Sequence, residues 1–238
     1  MELERVIASF HIADVGKLTG PRLLRRTPTT KDAAGLRYAA LMTTAPISER
    51  LLPRPDPGRI ALFAAWEEDT ALDRFLADHP LAAALRGGWH TRLRATHTFG
   101  AWPPLAGLLG EEPPMRDDEP AAALTIGRLR LSQAPRFFKA SAAAERLAVS
   151  DPAMLRGTGL ACPPALVATF SLWQTTKAMR AYAGGTAGAE HRDAVKAHAE
   201  RPFHHASAFI RFRPYGAEGE WSGENPLADD QPAPAPLA

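Results

Sequence analysis

The chain has 238 residues, long enough to bury a sizeable core as one large domain or two small ones. Hydrophobic residues make up 45% and charged residues 23%, as in ordinary globular proteins. A net charge of +2, from 28 Lys+Arg against 26 Asp+Glu, is too balanced to argue for nucleic acid. No run of about 18 apolar residues predicts stable membrane insertion, and Met1–Arg5 lacks the basic and apolar regions of a secretory leader. The single cysteine, Cys162, excludes an intrachain disulfide and a CxxC zinc pair. These features predict a cytoplasmic protein, with Cys162 inert in a loop before Pro163-Pro164.

In chain order, Val6–Ile12 predicts a first β-strand of branched and apolar residues. A helix follows near Pro21, since proline is tolerated in a first helical turn. Gly35–Leu41 predicts a short second strand and Ile60–Trp66 a stronger third one. Leu72, Phe75 and Leu76 then recur at helical spacing, and Thr91–Phe99 predicts a closing strand. Residues 103–121, rich in proline and acid, predict an unstructured linker.

The same order then returns. Ala123–Leu129 predicts a strand, Pro135 opens a helix, and Leu155–Leu160 and Leu166–Trp173 predict two more strands. Met179, Tyr182 and Ala183 mark a helix, and Ala208–Arg213 a last strand. Phe170 and Trp173 repeat Phe63 and Trp66 at the same offset. Residues 225–238, with alternating Pro and Ala, predict a disordered tail. The pattern is an α+β fold of two tandem βαββαβ halves, residues 1–102 and 122–224. Each half is one sheet whose second face needs a cover, and sheet against sheet within the chain supplies it. A cavity between sheet and helices is then a natural ligand site.

Eight histidines are present, four of them late: His191, His198, His204 and His205. If residues 188–200 form one helix, His191 and His198 share a face, but an i, i+7 pair is too long to hold one ion. No HExxH and no paired-carboxylate spacing supports zinc or di-iron. A haem needs only one axial histidine, and the alternative for each His is a plain surface or core residue. Arg211 and Arg213 alternate with Phe209 and Phe212, and such cations suit the carboxylates of a cofactor or substrate. A solvated strand edge is the alternative. Gly157-Thr158-Gly159 is not a dinucleotide fingerprint.

Phe137-Phe138-Lys139-Ala140-Ser141, Ala168–Trp173, Met179, Tyr182-Ala183, His191, Ala194-Val195, Phe209–Phe212 and Gly219-Glu220-Trp221 form an ordered series. The series resembles the spheroidene monooxygenase family over most of residues 123–222, and residues 1–102 resemble it more loosely. The resemblance implies ferredoxin-like halves forming an intrachain dimeric α/β-barrel. It also implies a haem (iron) cofactor with His191 as axial ligand, beside which Arg211 and Arg213, as cations suited to carboxylates, are the other cofactor-binding candidates. Where the family has an acid after the aromatic preceding the last strand, Phe203 is followed here by His204-His205, and the loop Gly184–Glu190 is longer. The expected function is haem-dependent monooxygenation of an apolar, carotenoid-like or other biosynthetic substrate, with O2 and an electron donor as partners. A cofactor-free cyclase or isomerase, or a small-ligand binding protein, is the alternative on the same fold. A homo-oligomer is left open.

Overall fold

A computed structural model describes residues 6–47, 54–110, 112–184 and 202–228. The first half comprises β1 (Ile7–Asp14), α1 (Gly20–Leu24), β2 (Leu36–Pro46), β3 (Asp56–Trp66), α2 (Asp69–Asp78), α3 (Pro80–Leu85) and β4 (Trp89–Ala101). The second comprises β5 (Ala121–Leu129), α4 (Ala134–Ser150), β6 (Met154–Cys162), β7 (Leu166–Trp173), α5 (Thr176–Gly184) and β8 (His204–Gly219). The βαββαβ order therefore occurs twice. Short α1 is pressed onto β3 so closely that a Cβ on Gly20 would lie 1.9 Å from the Pro57 carbonyl oxygen. Pro28, a few residues on, forbids its extension.

All strand pairs are antiparallel, and the sheet closes in the order β1-β3-β2-β6-β7-β5-β8-β4. Each half contributes the same four-stranded order, and the halves meet edge to edge twice, β2 with β6 and β4 with β8. The registers define which residues correspond. Trp66 lies opposite Ile7, and Trp173 opposite Ala121. Ser9 lies opposite Arg92, and Ala123 opposite Arg211. At one seam Arg94 faces its own counterpart Arg213, and at the other Thr43 faces its counterpart Ala161. The barrel thus has an internal two-fold axis through both seams.

Its interior is apolar and filled. Phe10 of the first half stacks on Phe170 of the second, with ring centroids 3.7 Å apart, and Phe63 lies 6.0 Å from Phe212. Trp221 covers one end beside Trp89 (5.5 Å), and the Trp89 indole donates to Asn225 Oδ1 at 3.0 Å. Asn225 and Leu227 hold residues 225–228 against the barrel, which corrects the expectation of a tail disordered from residue 225. The 103–121 segment is likewise not a loose tether. Leu105 and Met115 are buried, and Thr176 donates to the Glu119 carbonyl. Apolar residues isolated among prolines and acids carry no periodic signal, so neither anchor was visible in the sequence. Among the described residues no helix is long and apolar enough to cross a membrane.

Outside the barrel, α2 and α3 seal the first sheet. Trp66 donates its indole N–H to Ser9 Oγ (2.8 Å), and the same hydroxyl shares a hydrogen bond with His11 Nε2 at 3.0 Å. His11 is 2% exposed and stacks on His90 with centroids 5.2 Å apart. Burial, then His90 and Arg92, hold the His11 pKa well below the ordinary value. Burial also lowers His90, with Glu218 opposing and Arg92 assisting. Both imidazoles bind protons less readily than in the unfolded chain, so acid favours unfolding as pH falls through about 6.5. Thermal unfolding should therefore occur at a lower temperature at pH 5 than at pH 7, and His11→Gln should narrow that gap; an unchanged gap would remove the pair as its source.

Candidate functional site

The outer faces of the two sheets have diverged. In the first half, Leu41, Ile60 and Leu62 pack under the helices at 1%, 0% and 0% exposure, beside His11. Reading across the registers, their counterparts are Gly159, Val167, Thr169 and Thr125. Four bulky side chains are replaced by a glycine, a smaller valine and two threonines. Gly159, Val167 and Thr169 are all half-buried, and Thr125, in the middle of central strand β5, is exposed. A residue at the centre of a helix-covered sheet is ordinarily sealed. Its exposure marks a shallow floor on the outer side of the second sheet, left open among the described residues.

That floor has definite walls. The row Gly159, Thr169, Thr125, Phe209 and Phe99 runs across four strands and into β4, and Phe99 is 48% exposed at its rim. The next row carries Gly157, Ser171, Ala123, Arg211 and His97. On one side α5 packs through Met179 near Trp173. On the other, α4 places Phe137 5.1 Å from the His204 ring. That imidazole lies over Gly127, where a Cβ would come within 2.7 Å of it. His204 therefore borders the open face, whereas His205 is exposed.

Arg211 projects onto the same face. Its guanidinium carbon lies 5.1 Å from the Phe99 ring centroid and 5.6 Å from that of Phe209, a cation–π setting. Its Nε is buried and finds no hydrogen-bond acceptor among the described residues. A buried cationic N–H without an acceptor is costly, so this group is poised for an anion. Arg213, two residues on, is already engaged. It lies 3.4 Å from Glu119 and 3.8 Å from Glu112 and 3.4 Å from the Pro113 carbonyl. These contacts fasten the connector to β8, so Arg213 is held by acids of the chain where Arg211 is not. His191 and His198 lie outside the described residues. Among the described residues no group of three potential metal ligands converges.

Cys162 is elsewhere. It lines a separate cavity of about 270 Å³ at the β2–β6 end of the barrel, with Tyr38, Trp102 and Arg128. There the Trp102 indole donates to the Tyr38 hydroxyl at 3.2 Å. Sequence reasoning singled out Arg211 but missed the floor itself. Thr125 and Thr169 resemble ordinary strand residues, and only laying one half on the other in register exposes the loss of bulk.

No protein-family model matches the chain. The spheroidene monooxygenase of Rubrivivax gelatinosus is 31% identical over 224 residues, covering 92% of this chain and 84% of that protein. The spheroidene monooxygenase of Rhodobacter capsulatus is 28% identical over 188 residues, covering 76% of each. Among solved structures, an aldoxime dehydratase superposes with a TM-score of 0.56 at 8% identity, covering 98% of this chain and 90% of that one. A second aldoxime dehydratase, OxdRE in complex with butyraldoxime, gives 0.55 at 10% identity over 90% and 81%. At those identities the likeness is one of fold.

The contrast between the faces is measurable. Leu62→Ala should destabilise the protein by about 3 kcal/mol through cavity formation. Thr169→Leu should cost less than about 1 kcal/mol, because the space already exists. Denaturant unfolding of both variants checks this; a severe loss from Thr169→Leu would mean that the floor is filled.

Proposed function

Because this chain belongs to the spheroidene monooxygenase family, we propose that it is a monooxygenase of an apolar, carotenoid-like or other biosynthetic substrate, working with haem on the open outer face of the second sheet. The observation that carries this reading is the exposed Thr125 floor facing Arg211, where the first half is packed shut. The residues present fit the group. Glycine, threonine and alanine leave a flat floor, Phe99 and Phe209 give an aromatic border, and the unsatisfied Arg211 N–H suits a carboxylate. His191 would hold the iron in this proposal, since a single imidazole suffices for a haem.

Haem, when bound, supplies reductive activation of dioxygen. The chain's own residues then do three things. Arg211 would hold the cofactor by its carboxylates. Phe99 and Phe209 shield that contact from water and strengthen it. The hydroxyls of Thr125, Thr169 and Ser171 offer hydrogen bonds on an otherwise apolar surface. Monooxygenation places one oxygen atom in the substrate and reduces the other to water, consuming two electrons and two protons. An external electron donor is therefore a required partner.

The test is spectroscopic. Protein expressed with a haem precursor should show a Soret band, and colourless protein that takes up no added hemin would overturn the haem reading. His191→Ala should lose haem, while His198→Ala should leave the spectrum largely intact. An unchanged Soret band and full activity in His191→Ala would reject that ligand, and His204, which borders the floor, would be examined next.

A further inference from the structure

The two-fold relation between the halves makes each side chain comparable with a counterpart in the same molecule. Arg211 corresponds to Arg92. In the first half Arg92 is neutralised by helix α2, with Asp69 Oδ1 at 2.7 Å and Asp73 Oδ1 at 2.5 Å. Helix α5 is the counterpart of α2, since both begin three residues beyond the matching tryptophans Trp66 and Trp173. On that alignment Asp69 corresponds to Thr176 and Asp73 to Arg180. Both acids are gone, and one has become a second cation.

Nothing else in the described second half restores the balance. Thr176 is fully buried and spends its hydroxyl on the Glu119 carbonyl, 3.0 Å away. Arg180 meets Asp117 at 2.9 Å through one nitrogen and the Met115 carbonyl at 3.4 Å through the other. That single acid serves Arg180 at the helix surface and leaves Arg211 without a partner carboxylate among the described residues. Burial, and then Arg180, push the Arg211 pKa down from the usual guanidinium value. An arrangement that keeps two guanidiniums beside an open floor is tolerable when an anion completes it.

We propose that Arg211 and Arg180 form a receptor for the carboxylates of a dicarboxylate ligand, which takes the place that Asp69 and Asp73 fill in the first half. In the cofactor reading above, on which the choice of ligand rests, those are the paired side-chain carboxylates of the porphyrin. Charge-assisted bonds from a planar guanidinium favour a carboxylate strongly over its uncharged ester.

Metal-free protoporphyrin IX and its dimethyl ester separate this claim from iron ligation. Binding can be followed through quenching of tryptophan fluorescence, since Trp173 lies in the same sheet. The free acid should bind roughly tenfold or more tightly than the ester, a difference of about 1.4 kcal/mol or more. Arg211→Gln should abolish most of that preference, and Arg211→Lys should retain part of it. Arg180→Ala should weaken the acid moderately, and Arg180→Asp, which returns an acid to the α5 position, should weaken it further. Far-ultraviolet circular dichroism confirms that each variant is folded. Equal binding of acid and ester by the unaltered protein overturns the receptor, and a Soret band with hemin would then leave the haem reading standing. A preference for the acid without an iron–imidazole spectrum supports the receptor and overturns imidazole ligation of the iron. Failure to bind any porphyrin overturns both.

Discussion

Everything in this molecule depends on backbone hydrogen bonds at two seams. A four-stranded sheet has two edges, and each edge is a row of unpaired donors and acceptors. Here the edges of one half satisfy those of the other, β2 with β6 and β4 with β8. Closure leaves no free edge and encloses one shared interior, where Phe10 stacks on Phe170. The inner face of each sheet is therefore committed to a joint core and has little freedom to change. The outer faces are independent of one another, and divergence has gone there.

The divergence separates stability from binding within one chain. The first half keeps leucine and isoleucine under its helices and an arginine held by two aspartates. Each of these contributes to folding by well-understood means. The second half has shed bulk at Gly159, Thr125 and Thr169 and carries a guanidinium N–H that no described residue satisfies. Such under-filled, under-satisfied regions are poor for stability and are where ligands are held. One half can be left open because the other, joined to it along both seams, is closed.

Much of the fold was legible in the sequence. Alternating apolar runs, the two proline-opened helices and the recurrent Phe-x-x-Trp strands disclose a βαββαβ half occurring twice. Strand ends were shorter in the reading than in the molecule. The last strand runs from His204 to Gly219, because its ends are stabilised by pairing with β4 and β5 rather than by their own composition. The packing of Leu105, Met115 and Leu227 was illegible for the reason that isolated apolar residues have no period. Arg211 and Arg213 looked alike in sequence and differ in the structure because only Arg213 lies within reach of Glu112 and Glu119. The floor at Thr125 required the register, since loss of bulk is a comparison and not a motif.

The meeting of Arg94 and Arg213 on the two-fold axis has an evolutionary consequence. An assembly of two identical chains would place the same cation against itself and would have to neutralise both copies in one way. The single chain uses two ways. Arg94 lies over the Tyr215 ring at 4.7 Å, and that phenol donates to Asp69. Arg213 draws instead on acids of the connector between the halves, a segment that no assembly of separate copies would possess. The connector is thus a counter-ion as well as a tether. Selection on residues 112–119 should preserve their acidity as well as their length, and drift there would be felt as repulsion at the barrel's axis.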